Sequence, residues 1–304
     1  MYDIIILGGG FAGLTSAIYT TRAGLKTLVL EKEPACGGQI ALSAVVENWP
    51  TEKSISGLDL SLKLTEQVKN LGAEIKTFEE VQSVVLEQKI KKIKTSVSSY
   101  ESKAVIIATG AHEKKLGILG ESEFKGKGVS YCALCDAAFF KDKIVGVIGG
   151  GNTAFEESEF ISKFASKIYI IHRREEFRAE KILVQRAEKN PKIEFLLNKI
   201  PVEIIGDKFI EKIKLKDAKT GEISEIKLDG VFVFIGMIPN TSLFSSIKKD
   251  EKGYLLADEN MQTNLSGVFV AGDVRKKPIE QLVTASSDGA IAGVSAFKYL
   301  TEGL

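Results

Sequence analysis

The sequence has little sulfur, almost no net charge and no long apolar run, and each shortage excludes a class of protein. Its 304 residues contain three cysteines, Cys36, Cys132 and Cys135, too few for a secreted disulfide scaffold. Lysine plus arginine number 41 and aspartate plus glutamate 40, so a net charge of +1 gives no general attraction to nucleic acid. No apolar run approaches the ~18 residues of a transmembrane helix, and the N-terminus lacks a basic signal-peptide start. We therefore expect a cytoplasmic protein that binds neither nucleic acid nor membranes.

The strongest pattern in the sequence is a near-repeat. The segment GGGFAG at residues 8–13 follows the apolar run Ile4–Leu7, and GGGNTA at residues 149–154 follows the apolar run Ile144–Ile148. A helix-like stretch and a second apolar run come after each glycine segment, and this second run, Thr27–Leu30 in the first copy and Ile168–Ile171 in the second, is also expected to be a strand. A strand, a glycine-rich turn, a helix and a second strand form the unit that binds dinucleotides. At ~150 residues per domain the length also fits two domains, so we expect two such units.

Each glycine of the motif has a physical task. The first, Gly8 or Gly149, allows the tight turn from strand to helix, and the second, Gly10 or Gly151, lets backbone N–H groups approach a pyrophosphate. The third position, glycine in the first copy and alanine in the second, allows the helix to pack closely on the strand. The start of the helix then offers unpaired N–H groups and a partial positive charge to the pyrophosphate.

The residue that ends the second strand indicates which dinucleotide binds. Glu31 lies 23 positions after Gly8, where a carboxylate accepts hydrogen bonds from a ribose and would repel a 2′-phosphate. His172 lies the same 23 positions after Gly149 and opens a run of cations. The first site therefore suits FAD or NAD, and the second suits NADPH.

The cations of the second site are Arg173, Arg174 and Arg178. Arginine side chains form strong charge-assisted hydrogen bonds with a phosphate group, so these residues are candidates for binding the 2′-phosphate. The alternative is an ordinary solvated basic patch, in which the arginines pair with Glu175 and Glu176.

Two further apolar runs, Ala104–Ala111 and Gly267–Val274, are typical of buried parallel strands whose ends approach a ligand. Asp273 lies at the C-terminal end of the second of them and is placed either to accept a ribityl hydroxyl or to cap the helix expected near Gln281. The lysine-rich stretch Lys89–Lys94 alternates with isoleucine and predicts an amphipathic strand with a solvated face.

These patterns together predict an α/β fold. Two Rossmann-like, three-layer dinucleotide-binding domains are expected, with the second inserted into the first. Residues 1–112 and 240–304 form the predicted FAD-binding domain, and residues 113–239 form the predicted NADPH-binding domain, which also carries two of the cysteines.

The C-x-x-C-D segment at residues 132–136 allows three interpretations. A structural zinc site needs four ligands, and the remaining candidates, Cys36, His112 and His172, have no paired spacing. Two unrelated buried thiols are the second reading. A redox dithiol is favoured, because the spacing is short, a helix start is expected after it and an acid lies next to it. For Cys36, which stands alone, we expect the role of a small buried apolar residue.

At this point the residues match a family. The matching segments are GGGFAG, GGQ at 37–39, VENWP at 46–50, IATGA, C-x-x-C-D at 132–136, GGGNTA, HRREEFRAEKIL from His172, and GVFVAGD. Over nearly its whole length the chain resembles the low-molecular-weight thioredoxin reductases. The resemblance implies a homodimeric FAD enzyme that moves electrons from NADPH, through the flavin and a disulfide, to thioredoxin or a thioredoxin-like protein.

The resemblance also implies roles for individual residues. Cys132 resembles the thiol that attacks the protein substrate, Cys135 the thiol next to the flavin, and Asp136 the general acid that protonates the leaving thiolate. The motifs and the resemblance together assign the following positions to FAD: Gly8, Gly10, Phe11, Ala12, Gly13, Glu31, Lys32, Gly38, Gln39, Asn48, Gly110, Gly272, Asp273, Gln281 and Leu282. They assign the following positions to NADPH: Gly149, Gly151, Asn152, Thr153, Ala154, His172, Arg173, Arg174 and Arg178.

The sequence departs from the family pattern at three positions. Phe11 stands where the family usually has proline, Ala137 where it has glycine, and Glu280 where it has arginine. A related flavoprotein reductase that serves another disulfide partner, such as a glutaredoxin-like protein or a peroxiredoxin system, therefore stays an alternative. So does a non-catalytic FAD-binding redox sensor.

Overall fold

The computed structural model describes residues 1–42, 46 and 48–303, and for Leu42, Leu134 and Cys135 it describes the backbone alone. The strands are β1 (Tyr2–Leu7), β2 (Thr27–Leu30), β3 (Glu74–Lys76), β4 (Val81–Val85), β5 (Lys91–Thr95), β6 (Ser99–Ile107), β7 (Ala111–Glu113), β8 (Val129–Ser130), β9 (Ile144–Gly149), β10 (Lys167–Ile171), β11 (Ile193–Leu196), β12 (Lys199–Gly206), β13 (Ile210–Asp217), β14 (Ile223–Lys227), β15 (Gly230–Phe234), β16 (Met237–Pro239) and β17 (Val268–Val270). The helices are α1 (Phe11–Arg22), α2 (Gly57–Asn70), α3 (Ala133–Asp136), α4 (Asn152–Ile161), α5 (Lys181–Lys189) and α6 (Leu282–Glu302).

The chain folds into two compact units. Unit 1 comprises Met1–His112 and Ile238–Leu304, and unit 2 comprises Glu113–Met237. The chain passes between the units within β7 and within β16, and these two short strands pair with each other. Among the described residues, no helix combines the length and the apolar character that crossing a bilayer requires.

Unit 1 is built on one large mixed sheet with the strand order β3-β2-β1-β6-β5-β4, and β17 also pairs with β6. β1, β2, β3, β6 and β17 run parallel, whereas β4 and β5 form an antiparallel extension. β1 is apolar at consecutive positions because both of its faces are covered. Ile4 and Ile6 pack on the side of α1 and α6, while Ile5 and Leu7 pack on the opposite side with Phe244.

Unit 2 repeats this plan on a smaller scale. Its five-stranded sheet is entirely parallel, in the order β11-β10-β9-β15-β8. α3, α4 and α5 contribute apolar side chains to one face, around Val147 and Phe155. The antiparallel strands β12, β13 and β14 cover the other face, where Ile213 and Leu215 are fully buried.

The lysine-rich strand β5 differs from expectation at one residue. Its alternation is as predicted, with Ile93 and Thr95 buried and Lys92 and Lys94 exposed. Lys91, however, is only 2% exposed, because its Nζ donates hydrogen bonds to three backbone carbonyl groups. The predicted solvated face is therefore wrong for Lys91, since a lysine can be buried when all of its donors are satisfied.

Candidate active site

The glycine-rich turn of unit 1 connects β1 to α1. Gly8 has φ of +108°, and a Cβ added there would lie 2.4 Å from the carbonyl oxygen of Ala108. A Cβ on Gly13 would lie 2.0 Å from the carbonyl oxygen of Gly8. A Cβ on Gly10 would meet no protein atom within 4 Å. Gly8 and Gly13 are therefore required by the protein's own packing, whereas Gly10 faces open space.

Glu31 follows β2 and points back at this turn. Its Oε2 accepts a hydrogen bond from the N–H of Gly9 at 2.7 Å, and its Oε1 accepts one from the N–H of Glu33 at 3.0 Å. The side chain of Cys36 packs beside it as a buried free thiol, as expected from the sequence. Burial first, and the carboxylate of Glu31 second, raise the pKa of the Cys36 thiol to about 12, so this cysteine stays protonated and inert.

Several residues predicted to contact FAD lie together although they are far apart in sequence. Asn48 Nδ2 donates to Gln281 Oε1 at 3.1 Å. Phe11 and Leu282 pack in one apolar cluster, and the Phe11 ring meets the Trp49 ring edge-on at 5.6 Å. The phenylalanine that replaces the family's proline is thus accommodated by an aromatic partner.

The other residues predicted to contact FAD also belong to unit 1. Gln39 Nε2 donates to the carbonyl oxygen of Ala111 at 2.5 Å. Gly38 and Gly110 have φ of +61° and +64°, which favour glycine. Ala12 lies against Gly272, and Lys32 is exposed.

Asp273 is held by a buried network of charges. Lys277 Nζ, with a side chain 2% exposed, lies 2.7 Å from Asp273 Oδ1 and 3.4 Å from Asp288 Oδ2. Asp288 also accepts hydrogen bonds from Arg275 at 2.8 and 2.9 Å and from the N–H of Gly272 at 3.1 Å. Asp273 does not cap α6, because Gln281 forms reciprocal capping hydrogen bonds there.

Sequence reasoning missed Asp288. The signal that points to it is a charged residue at the spacing of the apolar positions of α6, where Ala285 and Ala292 are also buried. Such a residue needs partners inside the protein.

The glycine-rich turn of unit 2 connects β9 to α4. A Cβ on Gly149 would lie 2.5 Å from the carbonyl oxygen of Phe234 and 2.7 Å from the Cβ of Ala154. A Cβ on Gly151 would meet no protein atom within 4 Å. The residue before each helix, Gly10 before α1 and Gly151 before α4, has no side chain to cap it. The first N–H groups of both helices therefore face a space where a phosphate group fits.

At the start of α4, Asn152 is engaged by the protein itself. Its amide donates to Glu180 Oε1 at 3.0 Å and accepts from the N–H of Glu180 at 2.9 Å. Thr153 is exposed. Asn152 therefore ties the start of the helix to the segment that follows the arginines.

His172 lies underneath the turn of unit 2. It is 7% exposed, and its ring occupies the place where a Cβ on Gly150 would be. Its Nε2 lies 3.1 Å from the carbonyl oxygen of Glu176, and its ring stacks at a tilt on Phe177. Burial, followed by the positive charges of Arg178 and its neighbours, lowers the pKa of His172.

The acidic neighbours do not neutralise the arginines. Glu175 forms an ion pair with Lys219, and this contact lowers the pKa of the Glu175 carboxyl. Within the described part of the chain, Arg173, Arg174 and Arg178 form no ion pair with a carboxylate. The alternative of a basic patch paired with its own glutamates thus has no support in these contacts.

The cysteine segment of unit 2 begins directly after β8. Cys132 is disulfide-bonded. Its N–H donates to Ser130 Oγ at 3.0 Å, and Ser130 Oγ donates to the Cys132 carbonyl oxygen at 3.1 Å. The side chain of Cys135 lies outside the described residues, so its pairing and role stay predictions.

Asp136 ends α3, and its N–H donates to the carbonyl oxygen of Cys132 at 3.3 Å. Its side chain makes no capping hydrogen bond to the 3-10 helix Ala137–Phe140 that follows. The carboxyl group is therefore not committed to capping, and Ala137, where the family has glycine, is fully buried in the core of unit 2.

Comparison with known proteins places this geometry in a family. A profile described as pyridine nucleotide-disulphide oxidoreductase matches residues 2–289. Thioredoxin reductases from Listeria innocua and Bacillus subtilis are each 45% identical over 304 residues, covering 99% of this chain and 95% and 96% of theirs. A crystal structure of thioredoxin reductase from Lactococcus lactis superimposes with a TM-score of 0.91 at 42% identity, covering 99% of this chain and 100% of that one.

The chain belongs to the pyridine nucleotide-disulphide oxidoreductase family. It is an oxidoreductase that works with FAD and NADPH, and both the predicted α/β fold with two Rossmann-like domains and the predicted family resemblance are confirmed.

Proposed function

We propose that the chain is a thioredoxin reductase, in which electrons pass from NADPH to FAD, then to a disulfide between Cys132 and Cys135, and finally to thioredoxin or a thioredoxin-like protein. The observation that carries the proposal is Cys132, a disulfide-bonded cysteine in the same unit as a glycine-rich turn and three arginines that form no ion pair within the described part of the chain. The names of the similar proteins support it.

The proposed reaction balances in electrons and protons. NADPH supplies a hydride and the solvent supplies a proton, so that NADP⁺ leaves and one disulfide becomes two thiols. FAD, held at the glycine-rich turn of unit 1 by Gly10 and Glu31, would supply the two-electron redox chemistry that links NADPH to the disulfide. The Cys132 thiolate then attacks the disulfide of the partner, Asp136 protonates the leaving thiolate, and the Cys135 thiolate resolves the mixed disulfide and releases reduced thioredoxin.

The cofactors are assigned by the ends of the second strands. FAD binds unit 1, where Gly10 admits the pyrophosphate and Glu31 accepts hydrogen bonds from the ribose. NADPH binds unit 2, where Gly151 admits the pyrophosphate and Arg173 and Arg174 bind the 2′-phosphate. The remaining positions assigned from the sequence line these same two sites.

The test is a comparison of half-reactions in the purified FAD-loaded protein. The wild-type protein should oxidise NADPH when oxidised thioredoxin is added, with release of thioredoxin thiols. Cys135→Ser cannot form the internal disulfide, so it should lose thioredoxin reduction while it still binds FAD and reduces ferricyanide with NADPH. Cys36→Ser is the control for removing a cysteine, because Cys36 is a buried free thiol of the other unit, and the fraction that binds FAD should keep the wild-type ratio of thioredoxin reduction to ferricyanide reduction.

Three outcomes would contradict the proposal in different ways. If Cys135→Ser reduced thioredoxin at a substantial rate, the route through the dithiol would be wrong. If the wild-type protein reduced a glutaredoxin-like protein or a peroxiredoxin system but not thioredoxin, the partner would be wrong while the chemistry would stand. An FAD-loaded wild-type protein that reduced no disulfide at all would favour the redox sensor.

The same proposal includes a homodimer in the cytoplasm. In its support, α2 exposes Leu58 and Leu62, one turn apart, and α6 exposes Val283 and Ile291, so one unit carries unpaired apolar side chains on two helices. Sedimentation of the FAD-loaded protein should give twice the chain mass of 33.1 kDa.

A further inference from the structure

Glu121 carries a buried carboxylate to which the proposed reaction gives no role. The residue is 1% exposed. A carboxylate buried to this extent is costly unless hydrogen-bond donors surround it, so its partners reveal what it does.

Three donors converge on this carboxylate. Oε1 accepts from the N–H of Leu116 and from the hydroxyl of Tyr131, and Oε2 accepts from the N–H of Gly117, each at 2.7 Å. Burial, followed by the hydrogen bond to Glu121, raises the pKa of the Tyr131 hydroxyl, so the phenol stays protonated and stays a donor. The carboxylate thus fastens the turn of residues 116–121 to one tyrosine.

That tyrosine is the residue directly before Cys132. On its other side Ser130 hydrogen-bonds both the N–H and the carbonyl group of Cys132. Tyr131 also packs on the apolar core of unit 2, and Lys125 Nζ lies 5.7 Å from the centre of its ring. The backbone that leads into Cys132 is therefore held by two anchors, the hydroxyl of Ser130 and the carboxylate of Glu121.

We propose that Glu121 is a positioning residue for the dithiol, acting through the hydroxyl of Tyr131. The inference rests on the proposed function. Thiol–disulfide exchange requires the attacking sulfur to approach the partner disulfide in a defined direction, and a small misplacement of a reacting group costs up to about 100-fold in rate. In this scheme Glu121 contacts neither substrate nor cofactor, and it acts by fixing the position of Cys132.

The chemistry of the three donors makes a sharp variant available. Glu121→Gln keeps the size of the side chain, but its NH₂ group must face one of three groups that also donate. One buried donor then loses its acceptor. Tyr131→Phe removes a single hydroxyl and leaves both backbone hydrogen bonds of Glu121 in place, so it is the milder test.

In the FAD-loaded protein, Glu121→Gln should lower the rate of thioredoxin reduction by about 10- to 100-fold, and Tyr131→Phe by about 2- to 10-fold. NADPH-dependent reduction of ferricyanide should stay at the wild-type rate, because it needs no dithiol. Iodoacetamide alkylation of Cys132 in the NADPH-reduced protein can be followed by peptide mass spectrometry. Its rate should differ from that of the wild type, more in Glu121→Gln than in Tyr131→Phe. Controls are Glu194→Gln and Tyr169→Phe, which make the same chemical changes on half-exposed residues of the same unit.

A lowered melting temperature with unchanged Cys132 alkylation and unchanged thioredoxin turnover would overturn the inference, since it would show a purely structural role. Equal loss of the ferricyanide and thioredoxin activities would overturn it as well. If Glu121→Gln did not fold, Tyr131→Phe would decide, and wild-type rates in that variant would overturn the inference. A wild-type protein that reduced no disulfide would instead remove the proposed function on which it rests.

Discussion

The two glycine-rich turns solve the same backbone problem and differ in what surrounds them. In each turn the first glycine is fixed by a carbonyl oxygen of a neighbouring strand or loop, at 2.4 Å from a Cβ on Gly8 and at 2.5 Å from a Cβ on Gly149. In each turn the glycine before the helix, Gly10 or Gly151, faces open space. The shared features are those that any dinucleotide pyrophosphate needs.

The first difference is the depth of helix packing. A Cβ on Gly13 would lie 2.0 Å from the carbonyl oxygen of Gly8, so α1 sits against the turn and admits only glycine. At the equivalent place, α4 carries Ala154, which is fully buried. The turn of unit 2 is therefore wider by about the size of a methyl group.

The second difference is the group beneath the turn. In unit 1 a carboxylate, Glu31, accepts the N–H of Gly9. In unit 2 the imidazole ring of His172, whose pKa is lowered, packs against Gly150, and Arg173 and Arg174 follow it in sequence. Two similar turns thus differ in the charge that follows the second strand, and this difference is the one on which the proposed assignment of FAD to unit 1 and NADPH to unit 2 rests.

The largest expected effect comes from removing the cations of unit 2. The double variant Arg173→Ala, Arg174→Ala should lower kcat/KM for NADPH by at least about 100-fold, because each charge-assisted hydrogen bond to a phosphate contributes about 1.5–3 kcal/mol. The value for NADH should stay near wild type, since NADH has no 2′-phosphate. Steady-state kinetics with both nucleotides measure this.

Arg186→Ala is the control for that experiment, because Arg186 is an exposed arginine of the same unit on α5. It should leave both nucleotides unaffected. Equal losses with NADPH and NADH in the double variant would contradict the assignment of the arginines to the 2′-phosphate.

The next effect separates the two open glycines. Gly10→Ala and Gly151→Ala each add a methyl group that meets no protein atom within 4 Å, so both variants should fold. A methyl group forced into a filled site costs about 1–3 kcal/mol, or about 5- to 150-fold in affinity. Gly10→Ala should bind FAD more weakly, as measured by flavin absorbance. Gly151→Ala should bind NADPH more weakly, as measured by nucleotide titration.

If both variants lost the same cofactor, or if neither lost any, the equivalence of the two turns would be wrong. The apoprotein melting temperature of each variant serves as the control, since it should match that of the wild type when the added methyl group meets only solvent.

A third effect tests helix packing without any cofactor. Gly13→Ala should destabilise the apoprotein by about 1–3 kcal/mol, because its Cβ overlaps a backbone oxygen that cannot move aside. Ala154→Gly should cost about 1–2 kcal/mol, through the lost burial of one methyl group and the higher backbone freedom of the unfolded chain. Urea unfolding of the two apoproteins compares them, and a larger loss at Ala154 than at Gly13 would contradict the difference in packing depth.

The comparison also shows what a sequence reveals. Thr27–Leu30 was expected as an apolar strand and is β2 at those bounds, while Ile4–Leu7 is the buried part of a strand that begins at Tyr2. Buried parallel strands are apolar at every position, so a short window of sequence contains the whole signal. The glycines are visible for the same reason, because their task is local.

Contacts between distant parts of the chain carried no such signal. Lys91 reaches the carbonyl group of Ser266, and Asn48 reaches Gln281. Asp288 and Glu121 look like ordinary acidic residues until the fold surrounds them with donors. A sequence pattern reports which face of an element is apolar, but the partner of a buried charge depends on tertiary packing that no window contains.

The smallest effect concerns the ring beneath the turn of unit 2. Because burial lowers the pKa of His172 in the folded protein below the ordinary 6.5, the unfolded chain binds its proton more readily. The stability from the neutral ring is therefore fully present above pH ~6.5 and is lost as the pH falls through the lowered pKa. The acid limb of the stability curve is the fall in melting temperature from pH ~8 to pH ~5. It should be less steep in His172→Gln than in the wild type. An acid limb of the same slope in His172→Gln would show that the ring is not what distinguishes this turn from that of unit 1 at low pH.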